Sequence, residues 1–356
     1  MFALIMAGGA GKRFWPKSRE KHPKQLLNIL GEKTLIQNTV DRLSPLFSMD
    51  QIFVISNEKQ KDEVRRQLPS LPEKNLIVEP KGKNTAPCIG LSALLLEKID
   101  PEAVMIVLPA DHLIQNDERF INALRVGARV AREKDSMVTL GIEPTYPSTG
   151  YGYIQFNEQL EVIDDVTLLK VKTFAEKPNL ATAGRFISSG DFLWNSGIFI
   201  WKCKRILREL EEHLPHLYDG LMEIKEVLGT PEEEETIRRV YCQIKSISVD
   251  YGVMEHAEDV VVIKGKFGWN DLGSWDEVYN ILEKDEDDNV LVGEHIIKDS
   301  RNCYVEAPGK CVALMGVNDL IVVDTGDVLL ICPRERAQDV KELADVAKRR
   351  KLDQYI

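Results

Sequence analysis

Positive charge and clustered sulfur are both scarce in this 356-residue chain. Lysine and arginine number 46 against 57 acidic side chains, for a formal charge of -11. That balance does not favour a nucleic-acid groove or an anionic membrane surface as the main partner. The cysteines, at 88, 203, 242, 303, 311 and 332, form no CxxC pair and no dense secretory spacing, so free thiols in a reducing compartment are expected. Neither they nor the histidines cluster at ligand spacing, which argues against a zinc site. No run reaches the ~20 apolar residues of a membrane span, and the opening MFALIMAGGAG meets glycines too early for a signal sequence. The expectation is a soluble cytoplasmic protein with neither nucleic acid nor membrane as a partner. What remains is an ordinary globular mixture, 44% apolar and 29% charged, long enough for two domains.

Short apolar runs at Phe2–Met6, Gln51–Ser56, Leu76–Val78, Ala103–Leu108 and Met137–Ile142 read as buried strands. Helical patterns lie between them, at Ala86–Glu97 and at Phe120–Ala131 behind caps at Asn116 and Asp117. This alternation predicts an α/β architecture with a mostly parallel, Rossmann-like sheet. From Thr149 the texture shifts to aromatic short strands, and then to one acidic helical stretch from Lys204 to about Val240. The run Asp285–Asp288 reads as a linker dividing the chain into 1–285 and a small β-rich unit, 286–356, whose repetition is too loose to establish a solenoid by itself. Beyond Pro333 a last helix carries a stripe of Ala337, Val340, Leu343, Ala344 and Ala347. That stripe should dock on this chain or on a twin, so a homodimer is possible.

The first strand runs into Gly8, Gly9 and Gly11, followed by Lys12, Arg13, Phe14, Trp15 and Pro16. Glycines directly after a buried strand allow backbone N–H groups to converge on an anion. The register is neither GxxxxGK[ST] nor GxGxxG. Lys12, Arg13, Lys17, Arg19, Lys21 and Lys24 crowd here in an otherwise acidic chain, and the clustering points to a polyphosphate. A solvated basic turn would explain the charges but not Phe14, Trp15 and the prolines.

Two acids stand at ends of apolar runs. Asp111 follows AVMIVL, where open α/β sheets place ligands. Asp271 follows an apolar approach and precedes a Gly-Ser turn. Capping and turn formation are the structural alternatives. Asn84 and Thr85 can cap the helix that Pro87 helps start. Gly150, Tyr151 and Gly152 suggest a hairpin with close backbone approach. Glu176 can accept from hydroxyls, Lys177 can reach a phosphate, and the Asn195 amide can do both halves of a hydrogen bond.

GGAGKRFWP, with Ser18–Arg19 and PKQ at Pro23–Gln25, resembles the opening signature of sugar-phosphate nucleotidyltransferases, in the version carried by the mannose-1-phosphate guanylyltransferase family. LPADH at Leu108–His112, the NTAP block after Glu79, STGYGY, FAEKP, WNSGIF, SVDYGVMEH and WNDLGSW extend the resemblance to about residue 280. Gly252 stands where relatives often carry Ala. The resemblance implies a Rossmann-like mixed sheet for the first part and the family's β-helical cap for the small C-terminal unit, and a fused isomerase domain is not expected.

The resemblance implies that GTP and α-D-mannose 1-phosphate give GDP-mannose and pyrophosphate. It implies Mg²⁺ on Asp111 and Asp271, with Gly8, Gly9, Gly11, Lys12, Arg13 and Lys24 at the triphosphate. It also implies Glu79, Asn84 and Thr85 near the base, and Gly150, Tyr151, Gly152, Glu176, Lys177, Asn195 and Asp271 near the sugar phosphate. Asp250 and Glu255 are expected to shape the site. Three alternatives stay open: the same chemistry with another nucleotide or sugar, a non-catalytic nucleotide-sugar sensor, and a dinucleotide-dependent oxidoreductase disfavoured by the glycine register.

Overall fold

A computed structural model describes residues 1–9 and 11–356; Ala10, within the glycine loop, lies outside the described residues. The strands of the first part are β1 (Phe2–Met6), β2 (Ile52–Asn57), β3 (Leu76–Glu79), β4 (Val104–Pro109), β5 (Leu113–Ile114), β6 (Met137–Ile142), β7 (Tyr153–Ile163), β8 (Val166–Ala175), β9 (Phe192–Lys202), β10 (Val260–Gly265) and β11 (Trp269–Asn270). Nine of them form one sheet in the order β3-β2-β1-β4-β9-β6-β10-β8-β7.

The sheet is mixed, as the family resemblance implies, whereas the alternation of strands and helices alone suggests a mostly parallel one. The group β3-β2-β1-β4 is parallel, but β9 runs antiparallel to both β4 and β6, and β8 and β7 are antiparallel additions. Both faces are covered by helices, so the central strands are apolar on both sides. Along β1, Ala3 and Ile5 meet Ile36 and Val40 in one core, while Leu4 turns to Ile89 and Leu210 in the other. Each of these leucine, isoleucine and valine side chains contributes roughly 1.5–3 kcal/mol by leaving water.

The expected helices are present at Thr85–Ile99 and Asp117–Lys134, the latter capped by Asn116 Oδ1 accepting from Arg119 N–H at 2.9 Å. The acidic stretch after residue 203 is helical as expected and consists of three helices, because Leu214 leaves the helical region and Pro215 starts the next helix, and a loop separates Val227 from Glu233.

Beyond residue 288, Val290–Val292, Tyr304–Glu306 and Leu320–Asp324 pair in parallel, as do His295–Lys298 and Val312–Met315. Leu329–Pro333 closes the first of these sheets antiparallel. This is the β-helical unit, whose coils the loose repetition did not reveal. The expected linker is a tight turn: Asp285 Oδ1 accepts from Asp287 N–H and Asn289 N–H. A single apolar cluster joins both parts of the chain, with Phe14, Leu35, Trp275 and Tyr279 from one side and Tyr304, Ile321, Val323 and Val340 from the other. The terminal stripe therefore docks on this chain itself, through Ala337, Val340, Ala344 and Ala347, whereas Leu343 is exposed.

Candidate functional site

The parallel strands β1, β3 and β4 end along one edge of the sheet, so the residues that follow them meet there. Gly8 and Gly9 follow β1, Glu79 ends β3, and Asp111 and His112 follow β4. Because β9 is antiparallel to β4, its beginning lies at the same edge and contributes Asn195. The hairpin β7–β8 pairs Tyr153 with Ala175 at its base, which sets Gly152 beside Glu176. A Cβ on Gly152 would crowd the end of the Glu176 side chain, which would have to turn aside to admit it. The acids far apart in sequence are brought together by the small pair β5–β11, in which Leu113 opposes Asn270.

A cleft of about 440 Å³ results, lined by Gly8, Gly9, Glu79, Asn84, Thr85, Asp111, Gly150, Tyr151, Gly152, Glu176, Lys177, Asn195 and Asp271. A second chamber, of about 480 Å³, shares Asp111, His112 and Asp271 as its wall and adds Gly11, Lys12, Arg13, Lys24, Lys341 and Asp345. Every residue expected at the nucleotide, the metal or the sugar phosphate thus lines one chamber or the other. The carboxylate pair stands between them.

Loop geometry follows from a few close contacts. Gln25, buried, donates from Nε2 to the carbonyls of Ala7 at 2.6 Å and Gly9 at 3.0 Å and so holds the turn open. Gly11 has φ 57°, and a Cβ there would lie 2.7 Å from the Lys24 backbone nitrogen. Among the described residues a Cβ on Gly9 would meet nothing within 4 Å, so the space beside that glycine is open. Asn84 caps its helix as expected, accepting from Thr85 N–H at 2.9 Å. The Thr85 hydroxyl accepts from Val249 N–H at 2.8 Å, which fixes the turn carrying Asp250.

Lys24 is buried, with Nζ 2.8 Å from Asp111 Oδ2 and 2.5 Å from the Asp271 carbonyl oxygen. Burial acts to raise the Asp111 carboxyl, Lys24 acts to lower it, and the net result lies below the ordinary value. Tyr151 donates its hydroxyl to Asp271 Oδ1 at 2.7 Å. Glu277, which the sequence reading missed, accepts from Gly273 N–H at 2.7 Å beside Asp271, and burial together with the Asp271 charge pushes it up to about 7. Negative charge thus accumulates at a wall where a cation would relieve it. Burial lowers His112, and its Nδ1 accepts from Trp269 Nε1–H at 3.0 Å, which leaves Nε2 as the protonated nitrogen.

At the other end, Asn195 Nδ2 donates to Asp250 Oδ1 at 2.7 Å, and Lys177 pairs with Glu176. Burial, then the Glu176 charge, pushes Asp250 up to about 6. Glu79 is buried, its Oε1 has no hydrogen-bond partner among the described residues, and burial pushes it up to about 7. Glu255, expected to shape the site, is exposed outside both chambers, because the π-helical turn Asp250–Met254 carries it away.

The basic cluster divides. Lys12 pairs with Asp345 at 2.7 Å, Lys17 with Glu306, and Arg19 with Asp327 through two 2.7 Å bonds. Lys17 and Arg19 therefore hold the C-terminal unit instead of facing either chamber. Trp15 Nε1 likewise donates to the Tyr355 carbonyl at 2.8 Å, whereas Phe14, edge-on to Trp275 at 5.0 Å, belongs to the junction cluster and also lines the second chamber.

The raised carboxyls predict a pH effect. Between their ordinary values and about 7, the native state holds protons on Glu79, Asp250 and Glu277 that the unfolded chain has released, so stability falls as pH rises through that window, and the lowered His112 opposes this only below its ordinary value of about 6.5, as one group against three. Carboxylates with lowered values are ionised in both states above pH ~5 and contribute no slope there. The melting temperature of the ligand-free protein should therefore drop from pH 5.5 to 8, and Glu79→Gln should flatten the curve. An unchanged slope in that variant would show that Glu79 is not the titrating group.

A nucleotidyl transferase family model matches residues 2–288, and a mannoseP isomerase/GMP-like beta-helix domain model matches residues 293–346. The chain is 39% identical to a mannose-1-phosphate guanylyltransferase of Escherichia coli over 359 residues, covering 100% of this chain and 75% of the relative. It is 38% identical to the Klebsiella pneumoniae protein of the same name, with the same coverage of both. A crystal structure from Thermus thermophilus, described as a mannose-1-phosphate geranyltransferase, superposes with a TM-score of 0.86 at 34% identity, over 98% of this chain and 99% of that one.

Proposed function

We propose a specific reaction for this chain, which belongs to the mannose-1-phosphate guanylyltransferase family of nucleotidyl transferases: transfer of GMP from GTP to α-D-mannose 1-phosphate. At the coarser level the chain is an enzyme that moves a nucleotide onto a sugar 1-phosphate. The observation that carries the finer reading is the pair of chambers meeting at Asp111 and Asp271. One is large enough for a nucleoside and a sugar, and the other is rimmed by cations.

In this reading the base lies near Glu79, Asn84 and Thr85. Glu79, with one carboxyl oxygen unpartnered among the described residues, is an acceptor for the N1–H and N2–H₂ donors of guanine, which adenine lacks at those places. Asn195, Glu176 and Asp250 offer donors and acceptors to sugar hydroxyls, and Lys177 faces the attacking phosphate. Gly8, Gly9 and Gly11 give the phosphates close access to the backbone, with Lys12, Arg13 and Lys24 around them. A sugar phosphate oxygen attacks the α-phosphorus in line, forming one P–O bond as the bond to the β-phosphate bridging oxygen breaks and pyrophosphate leaves. The attacking monoester is already anionic, so no base is needed, and rate comes from positioning and charge stabilisation.

Asp111 and Asp271 fit a divalent cation, Mg²⁺ in our reading. Among the described residues no group of three or more ligating side chains gathers, so phosphate and water would complete its shell. When bound, it supplies charge neutralisation and orientation of the phosphates. We place the division of the chain at 1–285 and 286–356.

Purified protein assayed with each nucleoside triphosphate against mannose and glucose 1-phosphate tests the assignment. Pyrophosphate release should be greatest with GTP and mannose 1-phosphate, and a preference for ATP, UTP or dTTP would remove the guanine reading. Arg13, exposed at the chamber rim, gives a narrower test. Arg13→Ala should weaken GTP binding roughly ten- to a hundred-fold while leaving guanosine binding unchanged, because it removes charge-assisted bonds to phosphate alone. Equal losses for both ligands would place Arg13 elsewhere.

A further inference from the structure

We infer that the terminal helix, Val340–Arg349, is a working wall of the leaving-group chamber: Lys341 binds the departing pyrophosphate, and Asp345 is the counter-ion that pyrophosphate displaces. The inference rests on the nucleotidyl-transfer reading above and adds to it a part of the molecule outside the nucleotidyl transferase match, which ends at residue 288.

The helix packs directly on the Lys12–Phe14 turn of the glycine loop. Its apolar face, Val340, Ala344 and Ala347, is buried against the junction core. Lys341 and Asp345 stand one helical turn apart, so they share a face. That face lines the same chamber as Lys12, Arg13, Lys24 and Asp271. Lys341 is exposed there and carries three donors on a flexible stem. Asp345 Oδ1 sits 2.7 Å from Lys12 Nζ, and both side chains are about half exposed. An ion pair that wet is weak. A polyphosphate carrying several charges competes with a single carboxylate for Lys12 and wins, and it meets Lys341 on the same wall. The helix therefore contributes an attractive group and a replaceable one, and its docking on the Lys12–Phe14 turn sets where both stand.

Pyrophosphorolysis by the full-length protein separates these roles, because pyrophosphate and the nucleotide sugar are then varied independently. Lys341→Met should raise the pyrophosphate KM roughly three- to ten-fold, as fits one partly screened charge. The nucleotide-sugar KM should hold, and Lys341→Arg should restore the wild-type value. Asp345→Asn should lower the pyrophosphate KM, since Lys12 is no longer neutralised. Lys348→Met serves as the control for helix docking. Lys348 lies on the same helix but away from the chamber, and its substitution breaks a 3.0 Å contact with Glu20, so the pyrophosphate KM should be unchanged. Equal effects of Lys341→Met and Lys348→Met, or a raised KM in Asp345→Asn, would overturn the inference. If the wild-type protein exchanges no nucleotide sugar at all, the reaction reading fails separately. Calorimetric binding of inorganic pyrophosphate still decides the matter for Lys341, since weaker binding by Lys341→Met supports its role and equal binding removes it.

Discussion

Replacing Asp271 by asparagine should lower kcat by about a hundred- to a thousand-fold, the usual loss when one preorganised group facing transition-state charge is removed. The fold should survive. The amide oxygen introduced by Asp271→Asn can still accept the Tyr151 hydroxyl, and loss of the Asp271 charge relieves Glu277, whose carboxyl would move back toward its ordinary value. Asp111→Asn should cost similar activity and also some stability, because it strips the buried Lys24 ammonium of its carboxylate partner. Chelation should abolish turnover in the wild type and Mg²⁺ should restore it. Undiminished turnover in folded Asp271→Asn would take that residue out of the cation site.

Trp275→Ala should destabilise the protein by about 3–5 kcal/mol, the range for truncating a fully buried large aromatic. Trp275 is 0% exposed, donates from Nε1 to the Trp15 carbonyl at 3.1 Å, stacks on Tyr304 at 5.7 Å and meets Phe14 edge-on. Its removal opens the cluster that joins the glycine loop to the β-helical unit, so GTP use should suffer even where the variant remains folded. Denaturant unfolding measures the first effect. A loss below ~1 kcal/mol would mean that the junction does not act as one core.

The strands legible in the sequence were those buried on both faces. β1 to β4 and β6 were readable to within a residue because their apolar runs end at turn signals. The direction of β9 was not legible, since FLWNSGIFIW has the same composition whichever way it pairs, and polarity is decided by which neighbours remain available. Asp111 and Asp271 were readable as acids at run ends, but their meeting depends on the two-residue β5–β11 pair, too short to carry any periodicity. The basic cluster misled in part. Lys17 and Arg19 resemble phosphate ligands locally, yet their acids Glu306 and Asp327 lie 289 and 308 positions away. Charge density along a chain reports how many cations are close together, and says nothing of which anions will fold against them. Glu277 and Lys341 went unread for the same reason: each is an ordinary surface-type residue in a helical pattern until tertiary structure turns it toward the chambers.

The placement of the tryptophans makes the molecule its own optical reporter. Trp269 lines the cleft, bonded to His112 and edge-on to Tyr151 at 5.4 Å, while Trp15 and Trp275 sit in the junction core and Trp201 is buried in the main sheet. Indole emission depends on local polarity and on nearby quenchers, so these groups divide the signal by region. Ligand entering the cleft acts first on Trp269, whereas loosening of the C-terminal unit acts on Trp15 and Trp275. A set of single Trp→Phe variants would assign each part of the emission, and stopped-flow traces could then time filling of the cleft separately from any movement of the helix beyond it.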